Sequence, residues 1–266
     1  VATLVTFHAH PDDECFATGG VMSQAADAGH RVVLVVATRG EHGEVDDGFL
    51  EPGEQLWERR IKETAASAEV LGVSRVEFLG YVDSGMMGVP ENEAPEAFWQ
   101  ADVDEAAERL AVILREENAD ILTVYDDHGL YGHPDHIQVH RVGHRAAELA
   151  GTPKVYESTM DRDALRAMAR ERAPEGTGDG TGESEVGTFG DDFGSPGELI
   201  TTRVDVRQYT DRKRRSMQAH ASQIGDQSMF LSMPPEAFAA VFGTEVFILK
   251  GAPPGTAETT IYEGVA

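Results

Sequence analysis

Apolar residues along this chain fall into short, nearly unbroken runs, and the segments between them carry apolar positions three and four apart. Residues 1–6 and 31–37, the latter reading Arg31-Val32-Val33-Leu34-Val35-Val36-Ala37, have the length and continuity of strands buried on both faces, as in a parallel sheet. Residues 75–80, 120–125, 155–158, 200–206 and 245–249 predict further strands. Helical spacing predicts helices over 21–29, ended by Gly29, over 56–71, closed by Gly72, and over 101–117 and 134–149. More polar helices are expected over 162–172 and 207–219. Strand and helix alternate through most of the chain, which predicts the α/β class, as a Rossmann-like three-layer sandwich with a mostly parallel sheet and helices on both faces.

No shift in composition marks a boundary, so residues 1–266 are expected to form one domain. Residues 173–197 are rich in Gly, Glu, Asp, Ser and Thr and poor in apolar anchors, which predicts a mobile surface insert. The chain from 251 onward reads as a tail.

Charge and cysteine content narrow the partners. The net charge is −25, and the only lysines are Lys62, Lys154, Lys213 and Lys250. Such a surface repels nucleic acid and anionic lipid, and it reads as an adaptation to solubility or salt. No apolar run approaches the roughly 18 to 20 residues of a membrane-spanning helix, and the N-terminus lacks a signal pattern. A cytoplasmic protein without membrane insertion is expected. The single cysteine, Cys15, fits a reducing compartment and reads as a packing residue. Homo-oligomerisation is left open.

Two motifs carry candidate chemistry. Phe7-His8-Ala9-His10-Pro11-Asp12-Asp13-Glu14 follows the first strand, at the edge of an open α/β sheet where ligands bind. His10 and Asp13, three positions apart, can reach one zinc ion and leave Asp12 beside it as a base. Tyr131-Gly132-His133-Pro134-Asp135-His136 follows the strand at 120–125 and opens a helix. That helix places His136, His140 and His144 on one face, so His140 rivals His136 as the third ligand. His136 is favoured because it stands at the strand end.

Together, the two motifs resemble the signature of the PIG-L/LmbE-like family of zinc-dependent N-deacetylases, over the chain from the first strand to about residue 224. The resemblance implies an LmbE-like deacetylase domain with Zn2+ on His10, Asp13 and His136, iron(II) being an alternative ion, and Asp12 as general base. It places Tyr131 and His133 over the oxyanion, with Asp135 expected to hold the His133 ring in its donor tautomer and raise its pKa. It also implies substrate contacts from Arg60 in an R-x-x-E pattern, Asp83 in a D-S-G loop and His220 in an H-x-S-Q pattern. For Arg60 and Glu63 the plain alternative is a surface ion pair, for Asp83 a turn, and for His220 a structural role.

The expected reaction is removal of acetate from an N-acetylglucosamine-type small molecule or its conjugate. An amidase acting on a larger glucosamine conjugate is the alternative within the same chemistry. A non-hydrolytic sugar- or nucleotide-binding module is the alternative outside it, but the loop after the first strand reads His-Pro-Asp-Asp where a nucleotide fold needs G-x-G-x-x-G.

Overall fold

A computed structural model describes residues 1–172 and 193–265. The strands are β1 (Thr3–His8), β2 (Arg31–Val36), β3 (Arg75–Phe78), β4 (Ile121–Tyr125), β5 (Lys154–Thr159), β6 (Thr202–Asp205) and β7 (Thr244–Leu249). They form one sheet in the order β3-β2-β1-β4-β5-β7-β6. The first five are parallel, and β7 runs antiparallel to both β5 and β6. The helices are α1 (Asp13–Ala17), α2 (Gly19–Asp27), α3 (Leu56–Leu71), α4 (Val103–Glu117), α5 (Gly129–Gly132), α6 (Pro134–Ala150), α7 (Arg162–Arg172), α8 (Thr210–Ala219) and α9 (Pro235–Phe242). Among the described residues no helix is long and apolar enough to cross a membrane.

The apolar runs explain the layers. Side chains alternate along a strand, so Leu4, Val32, Leu34 and Val36 meet Val21, Met22 and Ala25 of α2 and Leu71 of α3. The intervening Val5, Phe7, Val33 and Val35 meet Ala106 and Leu110 of α4 and Val139, Val142 and Ala146 of α6. Both faces are buried, which is why the strands lack polar alternation. Gly143 lets α6 lie close to β4: a Cβ there would stand 2.2 Å from Val124 Cγ1. The order β2-β1-β4 reverses direction at β1, so a crevice opens at the carboxyl ends of β1 and β4.

The expected three-layer α/β architecture is present, and four local readings need amendment. β1 runs on to His8, so Phe7 and His8 belong to the strand. The helix expected over 207–219 is a 3-10 turn (Arg207–Tyr209) followed by α8. The chain after 251 is no free tail: Ile261 is fully buried, and the Glu258 carboxylate accepts from Tyr156 Oη at 2.9 Å and Thr202 Oγ1 at 2.8 Å. Of the expected insert, 173–192 lies outside the described residues, whereas 193–197 is anchored, with Gly194 N donating to Leu130 O and Ser195 N to Met160 O. Basic α8 buries Lys213, whose Nζ lies 2.6 Å from Glu245 Oε1; the same carboxylate accepts from Gly20 N and Val21 N at the start of α2.

Candidate active site

The two motifs meet in that crevice. After β1 the chain turns at Asp12, which has φ 93° and ψ −26°, a left-handed backbone that is uncommon for a non-glycine residue and costs about 1–3 kcal/mol. Glu14 holds the turn. Its fully buried carboxylate accepts from Asp12 N at 3.0 Å, from Ser67 Oγ, and from His220 Nε2 at 2.6 Å. Burial works against the Glu14 charge, but His220 and Ser67 outweigh it and lower the pKa.

Beyond the turn, Asp13 accepts from His10 N at 2.8 Å and faces two imidazoles. His10 Nδ1 lies 3.5 Å from Asp13 Oδ2, and His136 Nε2 lies 3.4 Å from Asp13 Oδ1. Zinc bonds of about 2.0–2.2 Å place tetrahedral donor atoms about 3.3–3.5 Å apart; each imidazole stands near that distance from one oxygen of Asp13, and one donor atom from each of the three residues lies within 4.8 Å of the other two. Burial opposes a charge on His10, yet Asp13, Asp135 and Asp83 together raise its pKa well above 6.5. The pocket is thus built for positive charge. His10, Asp83 and His133 form a second group whose donor atoms lie within 4.8 Å of one another. That group suits an ion less well, because His133 Nδ1 already accepts from Asp135 N at 3.1 Å, which leaves the ring proton on Nε2.

The reading of Asp135 therefore needs correcting. Its carboxylate, fully buried in α6, binds Ser84 N at 2.9 Å, Ser84 Oγ, and His10 Nε2 at 3.1 Å. It orients the His10 ring and leaves Nδ1 toward Asp13, as carboxylates behind ligating histidines do. The His133 tautomer is set by the Asp135 backbone N–H instead. Asp135 does pull the His133 pKa upward as expected, but burial, then the His10 and His136 rings, outweigh it and push the pKa down to about 3.

Asp12, 22% exposed, has its carboxyl outside the donor trio and 3.4 Å from Arg60 Nη2. Burial pushes its pKa up to about 6, with Arg60 pulling the other way. Tyr131 stands at the pocket mouth, its hydroxyl 3.5 Å from His136 Nε2, and burial followed by Asp13 raises its pKa. Asp83 lines the pocket, and its carboxylate accepts from Gly85 N at 2.8 Å and His42 N at 3.3 Å.

Arg60 and Glu63 do not form a surface ion pair; both are buried. Arg60 lines the pocket and donates to Gly40 O at 3.0 Å and to Pro11 O, joining the loops after β1 and β2. Gly40, at φ 67°, leaves room for the guanidinium: a Cβ there would stand 2.0 Å from Arg60 Nη1. Glu63 accepts from Ser222 N at 2.9 Å and Ser222 Oγ at 2.6 Å. His220, expected at the substrate mouth, is fully buried against Glu14 and does not line the pocket, so it supports the Asp12 turn from behind. His140 likewise lies away from the trio.

Sequence reasoning missed Glu14, named only as part of a motif, and also Tyr125 and His8. The Tyr125 ring stacks on His136 with centroids 4.2 Å apart and 12° between planes, and its hydroxyl lies 2.7 Å from His8 Nδ1. His8 Nε2 in turn meets Thr18 Oγ1 at 2.8 Å. A tyrosine ending a strand beside a histidine ending its neighbour was the available signal. The Tyr125 hydroxyl also faces the Asp13 carboxylate as a hydrogen-bond donor, so Tyr125→Phe, which keeps the stacked ring, should weaken divalent-ion binding about 10- to 100-fold, the usual effect of losing a hydrogen bond behind a ligand. Chelator-competition titration checks this, and an unchanged dissociation constant would count against a role for Tyr125 in supporting the trio.

Four similarities to known proteins bear on this arrangement. Residues 5–147 match the PIG-L family profile, described as GlcNAc-PI de-N-acetylase. A 1D-myo-inositol 2-acetamido-2-deoxy-alpha-D-glucopyranoside deacetylase of Acidothermus cellulolyticus is 41% identical over 94% of this chain and 89% of its own. Among solved structures, the N,N'-diacetylchitobiose deacetylase of Pyrococcus horikoshii aligns over 99% of this chain and 86% of that one, at 21% identity and a TM-score of 0.57. A 4-carboxy-2-hydroxymuconate hydratase of Pseudomonas putida aligns over 95% and 98%, at 18% identity and a TM-score of 0.57, so the fold by itself does not choose the reaction.

Proposed function

The chain belongs to the PIG-L family of GlcNAc-PI de-N-acetylases, and from that premise we propose that it is a metal-dependent N-deacetylase releasing acetate from N-acetylglucosamine joined to an inositol-type aglycone. The observation that carries this reading is a cluster of three donors, His10, Asp13 and His136, within 4.8 Å of one another, with the Asp12 carboxylate outside it and held by Arg60. Zinc is the ion that two imidazoles and one carboxylate suit best, with iron(II) as the alternative. When bound, such an ion lowers the pKa of water and polarises an amide oxygen.

Each remaining task falls to a residue of the chain. Asp12, with its pKa near 6, is ionised at neutral pH and takes the proton from the attacking water. His133 stays neutral with its proton on Nε2, so it donates a hydrogen bond to the oxyanion that forms on the acetyl carbon. Tyr131 keeps its phenolic proton and offers a second donor. As the C–N bond breaks, Asp12 returns its proton to the departing amine, giving acetate and a free amino sugar. Asp83 and Arg60 line the same pocket and face the sugar. One cysteine and a small-molecule substrate fit a cytoplasmic setting.

Acetate release from N-acetylglucosaminyl inositol tests the reading. Turnover should be lost with a chelator and restored by Zn2+. Faster cleavage of a glucosamine conjugate with a larger acyl group would favour the amidase reading, and binding without cleavage would favour a silent sugar-binding module.

A further inference from the structure

We infer that His140, His144 and Glu157 form a second cation site, outside the catalytic pocket, that takes a borderline divalent ion such as Zn2+ or Co2+. His140 and His144 stand one turn apart on α6, and Glu157 lies on β5, where it pairs with Val124 of β4. One donor atom from each residue lies within 4.8 Å of the other two. Glu157 Oε1 accepts a hydrogen bond from His144 Nε2 at 2.8 Å, a proton that a bound ion would displace, and the His140 ring stands beside the same carboxylate. Two neutral imidazoles and one carboxylate are the donor set that selects zinc-like ions over calcium or magnesium.

Hydrogen bonding within the protein does not saturate this cluster. His144 Nδ1 is buried and has no partner among the described residues. His140 Nδ1 lies 3.0 Å from the Tyr125 carbonyl, the kind of backbone anchor that fixes a ligating ring and leaves its other nitrogen unprotonated. Burial, the largest influence on His140, lowers its pKa and keeps that ring neutral. The three side chains are 13–21% exposed, which shields an ion and still admits it from solvent. An ion here would tie α6 to β5 in a chain whose net charge of −25 attracts cations.

The site is independent of the deacetylase reading, and the two can be tested apart. Equilibrium dialysis of the whole protein against Co2+, followed by metal analysis, should give about two ions per chain, falling to about one in His144→Ala and in Glu157→Gln. Neither residue touches the pocket, so both variants should keep wild-type acetate release. The His10→Ala chain should retain one ion, and His10→Ala combined with His144→Ala should retain none. Circular dichroism identifies any variant that fails to fold, and Glu157→Gln, which preserves shape, decides the matter in that case. One ion per wild-type chain, or two ions persisting in both single variants, would overturn the inference.

Discussion

Asp12→Asn should lower kcat for acetamide hydrolysis by about 10²- to 10⁴-fold while leaving the bound-metal stoichiometry at its wild-type value, the loss expected when a general base is removed. The amide has the shape of the carboxylate and keeps the backbone N–H that donates to Glu14, so the turn survives. The amide cannot accept a proton from water. The donor trio stays complete because the Asp12 carboxyl is not part of it. Acetate release measured beside metal content separates these effects. Near-normal turnover would remove Asp12 from the role of base, and loss of metal would make it a ligand.

Glu14→Ala should destabilise the protein by about 3–5 kcal/mol, the range for stripping one partner from a buried charge pair. His220 would be left buried without its acceptor, and Ser67 Oγ and Asp12 N would lose theirs. The left-handed turn at Asp12 would lose its anchor, so turnover should fall together with stability. Glu14→Gln keeps the volume and two of the acceptor contacts, and should be milder in stability while still lowering kcat. Urea denaturation gives the first quantity and steady-state kinetics the second. A Glu14→Ala protein within about 1 kcal/mol of wild type would show that the pair with His220 is not a support.

The residues that carry the largest expected effects differ in how readily the sequence announces them. Asp12 stands in a motif whose spacing alone suggests two ligands and a base. Glu14 stands two positions later, but its partner His220 is 206 residues away, and no pattern along the chain joins them. The same holds for Asp135, whose neighbour in sequence is His133 but whose carboxylate reaches Ser84, 51 residues earlier.

By itself the sequence determined the elements and their class. A strand buried on both faces has no polar positions to interrupt its run, so β1, β2 and β4 stand out. The helix Leu56–Leu71 was readable to the residue, because its helical spacing runs up to Gly72, which at φ 82° ends it in the left-handed conformation. The donor trio was legible because each member follows a strand end. Only the tertiary structure decided which side chains pair across those ends. It turned Asp135 toward His10, drew His220 behind Asp12, and set His140 and His144 against Glu157. Periodicity records how deeply each residue is buried along its own element, whereas side-chain partners depend on the order of strands in the sheet and the packing of helices above it, and that order is a property of the folded whole.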